Sequence, residues 1–307
     1  MQAVRFDQYG DVDVLEVRDV EDPTILDGEV LVRVKATSIN PGESDIREGV
    51  FREMGLPTRF PAGQGSDLAG VVTESRDERW NVGDEVLGFL PWGDSVGTQA
   101  ELVAVPGDQV LRKPEALSWD VAGSLFVAGT AAIASIQVVQ PQPGETILVT
   151  AAAGGVGIFA SQLAVRSGAR VIGVASERNH EWLRAHGVEP IAHGDGFRER
   201  LEAATDGTLD GLIDLFGGGY VEQALELGVP KARINTIIDF AFAGEHGIET
   251  RGTAQVASAA TVGEVVDAVV AGDVEVPIAA TYPLAEVRDA FRVLDQRQVR
   301  GKIVLRP

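Results

Sequence analysis

The sequence predicts an α/β chain in two parts, a β-rich part and a doubly wound parallel sheet. Three observations carry this. Up to about residue 118, short β-rich runs are separated by glycine, proline and acidic turns, the pattern of a strongly bent antiparallel sheet or partial barrel. From Ile147 onward, short continuous apolar runs alternate with helical segments, as in strands covered on both faces by crossover helices. Between residues 147 and 176, an apolar strand, a glycine turn, a helix and a second strand follow one another.

In order, the chain opens on an alternating strand at Met1-Gln-Ala-Val-Arg-Phe6 and continues with strands at 30–35, 69–73, 85–88 and 100–105. Ser118 caps a helix start, and alanine-rich helical spacing runs through residue 139. Buried strands are predicted at 147–150, 171–175, 211–215 and 233–238. Beyond about residue 256 come a helix at 262–271, a strand near 276–278, an amphipathic helix at 284–296 and a closing strand at 302–305. That tail is expected to return to the first part. No internal repeat or low-complexity linker interrupts this order.

With 307 residues and 45% hydrophobic content, the chain can bury a sizeable core, and its length favours two domains. It carries 26 basic against 46 acidic residues, a net charge of -20, which repels nucleic acid and anionic membrane. Only Lys35, Lys113, Lys231 and Lys302 are lysines. The absence of cysteine excludes disulfides, thiolate-bound zinc, iron–sulfur clusters and cysteine nucleophiles. No apolar signal core and no run of about twenty apolar residues occurs, so a cytoplasmic protein is expected.

In Thr150-Ala-Ala-Ala-Gly-Gly-Val-Gly157 the glycines allow a tight turn and close approach of backbone to a pyrophosphate at the helix N-terminus. Ala152 stands where the first glycine of G-x-G-x-x-G would be, and Ala153, Gly154, Gly155 and Val156 form the cradle. This is a dinucleotide-binding pattern.

Further motifs are Val32-Arg-Val-Lys-Ala-Thr-Ser-Ile-Asn-Pro41, Gly65-Ser-Asp-Leu-Ala-Gly-Val-Val72, Val82-Gly-Asp-Glu-Val-Leu-Gly88, Ala128-Gly-Thr-Ala131, Gly217-Gly218 and Arg300-Gly-Lys-Ile-Val-Leu305. Their order resembles the medium-chain dehydrogenase/reductase superfamily, in its zinc-independent quinone oxidoreductase, zeta-crystallin-like branch. The resemblance implies a discontinuous GroES-like catalytic domain (1–120 and 257–307), a Rossmann domain (121–256), NADPH in the cleft and a homodimer through Rossmann edge strands. It also implies that zinc is absent. Ser66 replaces the ligand histidine of the zinc alcohol dehydrogenases, and His180, His186, His193 and His246 lack catalytic-zinc spacing.

NADPH is favoured over NADH because Ala175 stands where NAD-specific sheets carry an acidic residue, while Ser176 and Arg178 suit a 2′-phosphate. Glu177 argues mildly the other way. His193 occupies the place of a family tyrosine near that phosphate. By resemblance, Asn40 and Thr130 lie beside the nicotinamide, with the Asn40 amide donating to the developing oxyanion or else capping the turn before Pro41. Thr130 could instead be a helix-packing hydroxyl. Phe216, Gly217, Ile238, Asp239, Phe240 and Lys302 complete the cofactor set, and Asp45, Phe51 and Trp92 are candidate pocket walls.

The expected reaction is hydride transfer from NADPH to a quinone or α,β-unsaturated carbonyl compound, whose conjugation needs no Lewis acid. An enoyl-thioester reductase or a non-catalytic NADPH-binding protein are the alternatives.

Overall fold

The computed structural model describes residues 1–53, 55–90, 97–205 and 207–307. It divides into two compact units, one of Met1–Val127, Ala257–Val270 and Pro277–Pro307, the other of Ala128–Val256 and Ala271–Val276. In chain order the strands are β1 (Gln2–Arg5), β2 (Glu16–Asp19), β3 (Glu29–Ser38), β4 (Asp67–Ser75), β5 (Glu85–Phe89), β6 (Leu102–Pro106) and β7 (Val110–Arg112). There follow β8 (Thr146–Val149), β9 (Arg170–Val174), β10 (Val188–Ile191), β11 (Gly211–Asp214), β12 (Ile234–Thr236), β13 (Ile278–Pro283) and β14 (Lys302–Arg306).

In the first unit β3 is the organising strand. It pairs antiparallel with β4, β6 and β14, and its register with β4 shifts between Leu31 and Val32 and again between Val34 and Ala36. Such irregularities bend a strand, so one long strand can serve several partners. Alternate residues Val30, Val32 and Val34 point into a core shared with Leu68, Val72, Val86 and Val103. Residues 277–307 add β13 parallel to β14 at the edge of β3, and the helix Val287–Asp295 buries Val287, Ala290 and Phe291 against Val4, Phe6 and Leu15.

The second unit is a five-stranded parallel sheet in the order β10-β9-β8-β11-β12. After β10 the chain crosses back to place β11 beside β8. The strand order therefore reverses between β8 and β11, the switch point where doubly wound sheets bind ligands. Residues 271–276 join this unit: Gln162 Nε2 donates to the Glu275 carbonyl (3.0 Å), and the Glu275 N–H donates to Gln162 Oε1 (2.9 Å).

Three strands escaped sequence reading. β2 is a half-exposed polar ribbon, β7 has three residues, and β10 is an edge strand, Val-Glu-Pro-Ile, with glutamate and proline inside. The helix predicted from Ser118 is two helices. Ser118 Oγ accepts from the Val121 N–H (3.3 Å) to cap Trp119–Ala122, the chain breaks at Gly123, and Phe126–Val139 follows. β12 also stops earlier than predicted, because the Thr236 hydroxyl accepts the N–H groups of Ile238 and Asp239 and turns the chain. Among the described residues, no helix is long and apolar enough to cross a membrane.

Candidate functional site

The glycine turn leaves the C-terminal end of β8. Gly157 opens the helix Gly157–Arg166, and a Cβ built there would lie 2.1 Å from the Ala151 carbonyl oxygen, so only glycine fits. Ala151 itself has a φ of 46°, a left-handed backbone that a non-glycine residue adopts at a cost. The unusual Ala152 is accommodated across the sheet by Gly173 of β9, where a Cβ would stand 2.9 Å from the Ala152 methyl and 2.7 Å from Val188 Cγ1. Ala153 is buried, and Gly154, Gly155 and Val156 are half-buried along the turn. This turn at a helix start, with no Cβ at Gly154, Gly155 and Gly157, fits the pyrophosphate of a dinucleotide.

Next to the turn, at the ends of β9 and β10, Ser176 Oγ lies 3.4 Å from His193 Nε2. Parallel pairing explains the meeting: Val174 is in register with Ile191, and Ser176 and His193 each follow two residues later. Arg178 is exposed two residues beyond Ser176, in the short helix Glu177–Asn179. The loop bearing His193 is shaped by Arg200, which sequence reading missed. Its Nε and Nη2 donate to the Ala192 carbonyl (3.1 and 3.0 Å), Nη2 also to those of His193 and Gly194 (both 3.2 Å), and Nη1 to that of Asp195 (2.8 Å). Nothing in the sequence distinguishes this arginine from the helix-surface arginine beside it.

At the ends of β11 and β12, Phe216, Ile238 and Phe240 keep 45%, 41% and 40% of their surfaces exposed, an unusual concentration of apolar surface next to the switch point. Thr130, expected at the nicotinamide, is fully buried in the helix Phe126–Val139, and its hydroxyl donates to Thr253 Oγ1 (3.2 Å).

The first unit contains a buried charged cluster at the end of β3. Lys302 Nζ donates to Asn40 Oδ1 (2.6 Å), and Asn40 Nδ2 donates to Glu43 Oε1 (3.1 Å) and Asp67 Oδ2 (2.9 Å). Asp67 also accepts the Ser38 hydroxyl (2.7 Å) and the Val127 N–H (3.0 Å), while Glu43 Oε2 accepts Gln99 Nε2 (2.8 Å). Two residues expected at the cofactor meet in this cluster. Asn40 is only 4% exposed, both its amide hydrogens are held by acidic side chains, and its side chain makes no cap hydrogen bond. Lys302, expected at the cofactor, is 3% exposed and tied to Asn40. Glu43 and Asp67 were missed. The available signal was an acidic residue three positions after Asn40 and another opening the apolar strand Asp67-Leu-Ala-Gly-Val-Val72.

Burial pushes the Glu43 carboxyl up to about 8, with nearby Asp67 adding to the rise and Asn40 and Lys302 opposing it. Burial likewise lowers the Lys302 ammonium against the pull of Asp67 and Glu43. An acid whose native pKa is raised stabilises the fold fully below its unfolded pKa, here near 4.5, and loses that contribution as pH rises through about 8. Glu43→Gln, uncharged throughout, is expected to gain stability relative to wild type as pH is raised from 5 to 8, by at most about 1.4 kcal/mol per pH unit. Denaturation curves that stay parallel across that range would contradict the assignment.

Of the proposed pocket walls, Asp45 is exposed, Phe51 is half-buried in the short helix Val50–Glu53, and Trp92 lies outside the described residues.

Residues 26–115 match the alcohol dehydrogenase GroES-like domain family, and residues 186–305 the zinc-binding dehydrogenase family. A mitochondrial NAD(P)H oxidoreductase of Mus musculus is 30% identical over 355 aligned positions that span 99% of this chain and 89% of that protein. The chain belongs to the medium-chain dehydrogenase/reductase superfamily. Within the superfamily, a quinone oxidoreductase of Pseudomonas aeruginosa is 28% identical, covering 100% of this chain and 99% of that one. The solved quinone oxidoreductase of Coxiella burnetii superimposes with a TM-score of 0.89 at 30% identity, over 100% and 99% of the two chains. The superfamily assignment makes the protein an oxidoreductase with a nicotinamide cofactor. The zinc in the matched family's description finds no fitting donor set here. The chain has no cysteine, and among the described residues no group of three or more His, Asp or Glu could hold a metal ion.

Proposed function

We propose that the protein is an NADPH-dependent, zinc-independent oxidoreductase that reduces a quinone or an α,β-unsaturated carbonyl compound. The observation that carries the cofactor choice is the approach of Ser176 to His193, beside Arg178, at the end of a strand where Ala175 offers no carboxylate to repel a 2′-phosphate. The Gly157 turn would hold the pyrophosphate, and the bound nicotinamide supplies the hydride. The protein's part is to bind, orient and keep water from the reacting face. Conjugated acceptors suit this limited equipment, since the charge displaced onto their oxygen is delocalised. The similarity to two proteins named quinone oxidoreductases, in Pseudomonas aeruginosa and Coxiella burnetii, supports the substrate class.

Binding titrations test the reading. NADPH should bind ahead of NADH, and Arg178→Ala should raise the NADPH dissociation constant about tenfold, the loss of one charge-assisted hydrogen bond, while leaving NADH affinity unchanged. Equal affinity of the wild-type protein for both nucleotides would overturn the cofactor choice.

A further inference from the structure

We infer that Asp214 is a positioning residue that sets three nucleotide-binding loops with one carboxylate; the inference rests on the proposal that a nicotinamide dinucleotide binds this sheet. Asp214 ends β11 and is fully buried. Its Oδ1 accepts the Thr150 hydroxyl (2.7 Å) and the N–H groups of Phe216 (3.2 Å) and Gly217 (3.1 Å). Its Oδ2 accepts the Thr236 hydroxyl (2.7 Å). Each hydroxyl then passes the order on. Thr150 Oγ1 accepts the Leu215 N–H (2.7 Å), and Thr236 Oγ1 accepts those of Ile238 (3.2 Å) and Asp239 (3.0 Å).

The three strands so joined, β8, β11 and β12, are neighbours in the sheet, and their C-terminal ends carry the glycine turn, the Phe216–Gly217 loop and the Ile238–Asp239 turn. The middle loop needs this anchor. Gly217, Gly218 and Gly219 have φ of 76°, 76° and 86°, and three successive left-handed glycines have little steric preference of their own to fix a path. A carboxylate is the side chain for the task because every partner here donates. An amide of the same shape would retain one accepting oxygen and turn an NH2 group toward a hydroxyl that must also serve backbone donors.

Ser176 and His193 meet each other at the ends of β9 and β10, and none of the four Asp214 bonds runs to them. The adenosine 2′-phosphate end can therefore be probed apart from the rest of the nucleotide, with NADPH and with the fragment adenosine 2′-monophosphate, which has no 5′-phosphate to reach the glycine turn. Asp214→Asn is expected to raise the NADPH dissociation constant about tenfold and to change that for adenosine 2′-monophosphate by less than about twofold. Thr236→Val, which removes only the relay to Ile238 and Asp239, should raise the NADPH constant about threefold with the fragment again unaffected. Melting curves report the folded fraction of each variant. A purely structural role predicts lower melting temperatures with NADPH affinity unchanged in the folded protein, or equal weakening for both ligands, and either result overturns the inference. If Asp214→Asn does not fold, unaltered NADPH affinity in Thr236→Val overturns it instead. A wild-type protein that binds no NADPH removes the proposed function and this inference together, whereas wild-type binding with unaltered variants removes only the inference.

Discussion

Lys302→Met should lower the unfolding free energy by about 3–5 kcal/mol, the scale of leaving a buried charge without its counterion. The ammonium it removes lies among Asn40, Glu43 and Asp67, with its Nζ 2.6 Å from Asn40 Oδ1. Methionine matches the length of the stem but cannot donate, so the Asn40 oxygen loses its partner and the Asp67 side chain loses the charge of Lys302. The loss is read as a fall in the denaturant midpoint at unchanged slope. A variant that unfolds at the wild-type denaturant concentration would show that the cluster carries no net cation–carboxylate stabilisation.

Gly157→Ala should weaken NADPH binding about 100-fold, the scale associated with misplacing a binding group by an ångström. The added methyl would sit 2.1 Å from the Ala151 carbonyl oxygen and 2.8 Å from the Ala152 carbonyl carbon, both backbone atoms that cannot rotate away. Ala151 already sits at a positive φ, which leaves the turn little room to yield. Gly263→Ala, in the helix Ala259–Val270 away from the glycine turn, is the control. Its nearest contact would be 3.6 Å, an ordinary van der Waals distance. Similar NADPH affinities in the two variants would contradict the cradle geometry.

The parallel strands β8, β9 and β11 were legible because each is built on a short apolar run, and the glycine turn because its residues occur at fixed spacing. From the sequence Ser176 and His193 were separate suggestions; the β9–β10 register brings them to the same height. Asp214, Arg200, Glu43 and Asp67 carried no comparable signal. Their importance lies in partners far along the chain, as with Thr150 and Asp214, 64 residues apart, or Asn40 and Lys302, 262 apart. Asn40 is the opposite case: its motif suggested an amide donating to the developing oxyanion or capping the turn before Pro41, and only the positions of two buried acidic side chains reveal that the amide already donates twice. β10 was hidden by its own edge chemistry, since a strand with glutamate and proline inside has neither alternation nor an apolar run.

The central claim is that NADPH bound to this sheet is oxidised by a conjugated acceptor. Steady-state oxidation of NADPH and of NADH by the purified wild-type protein, measured with a panel of quinones, enones and enoyl-CoA in the presence of a strong chelator, tests it most directly. The result predicted is acceptor-dependent oxidation with quinones or enones, faster with NADPH than with NADH and indifferent to the chelator. Tight NADPH binding without oxidation by any of the acceptors, or turnover confined to enoyl-CoA, would contradict it.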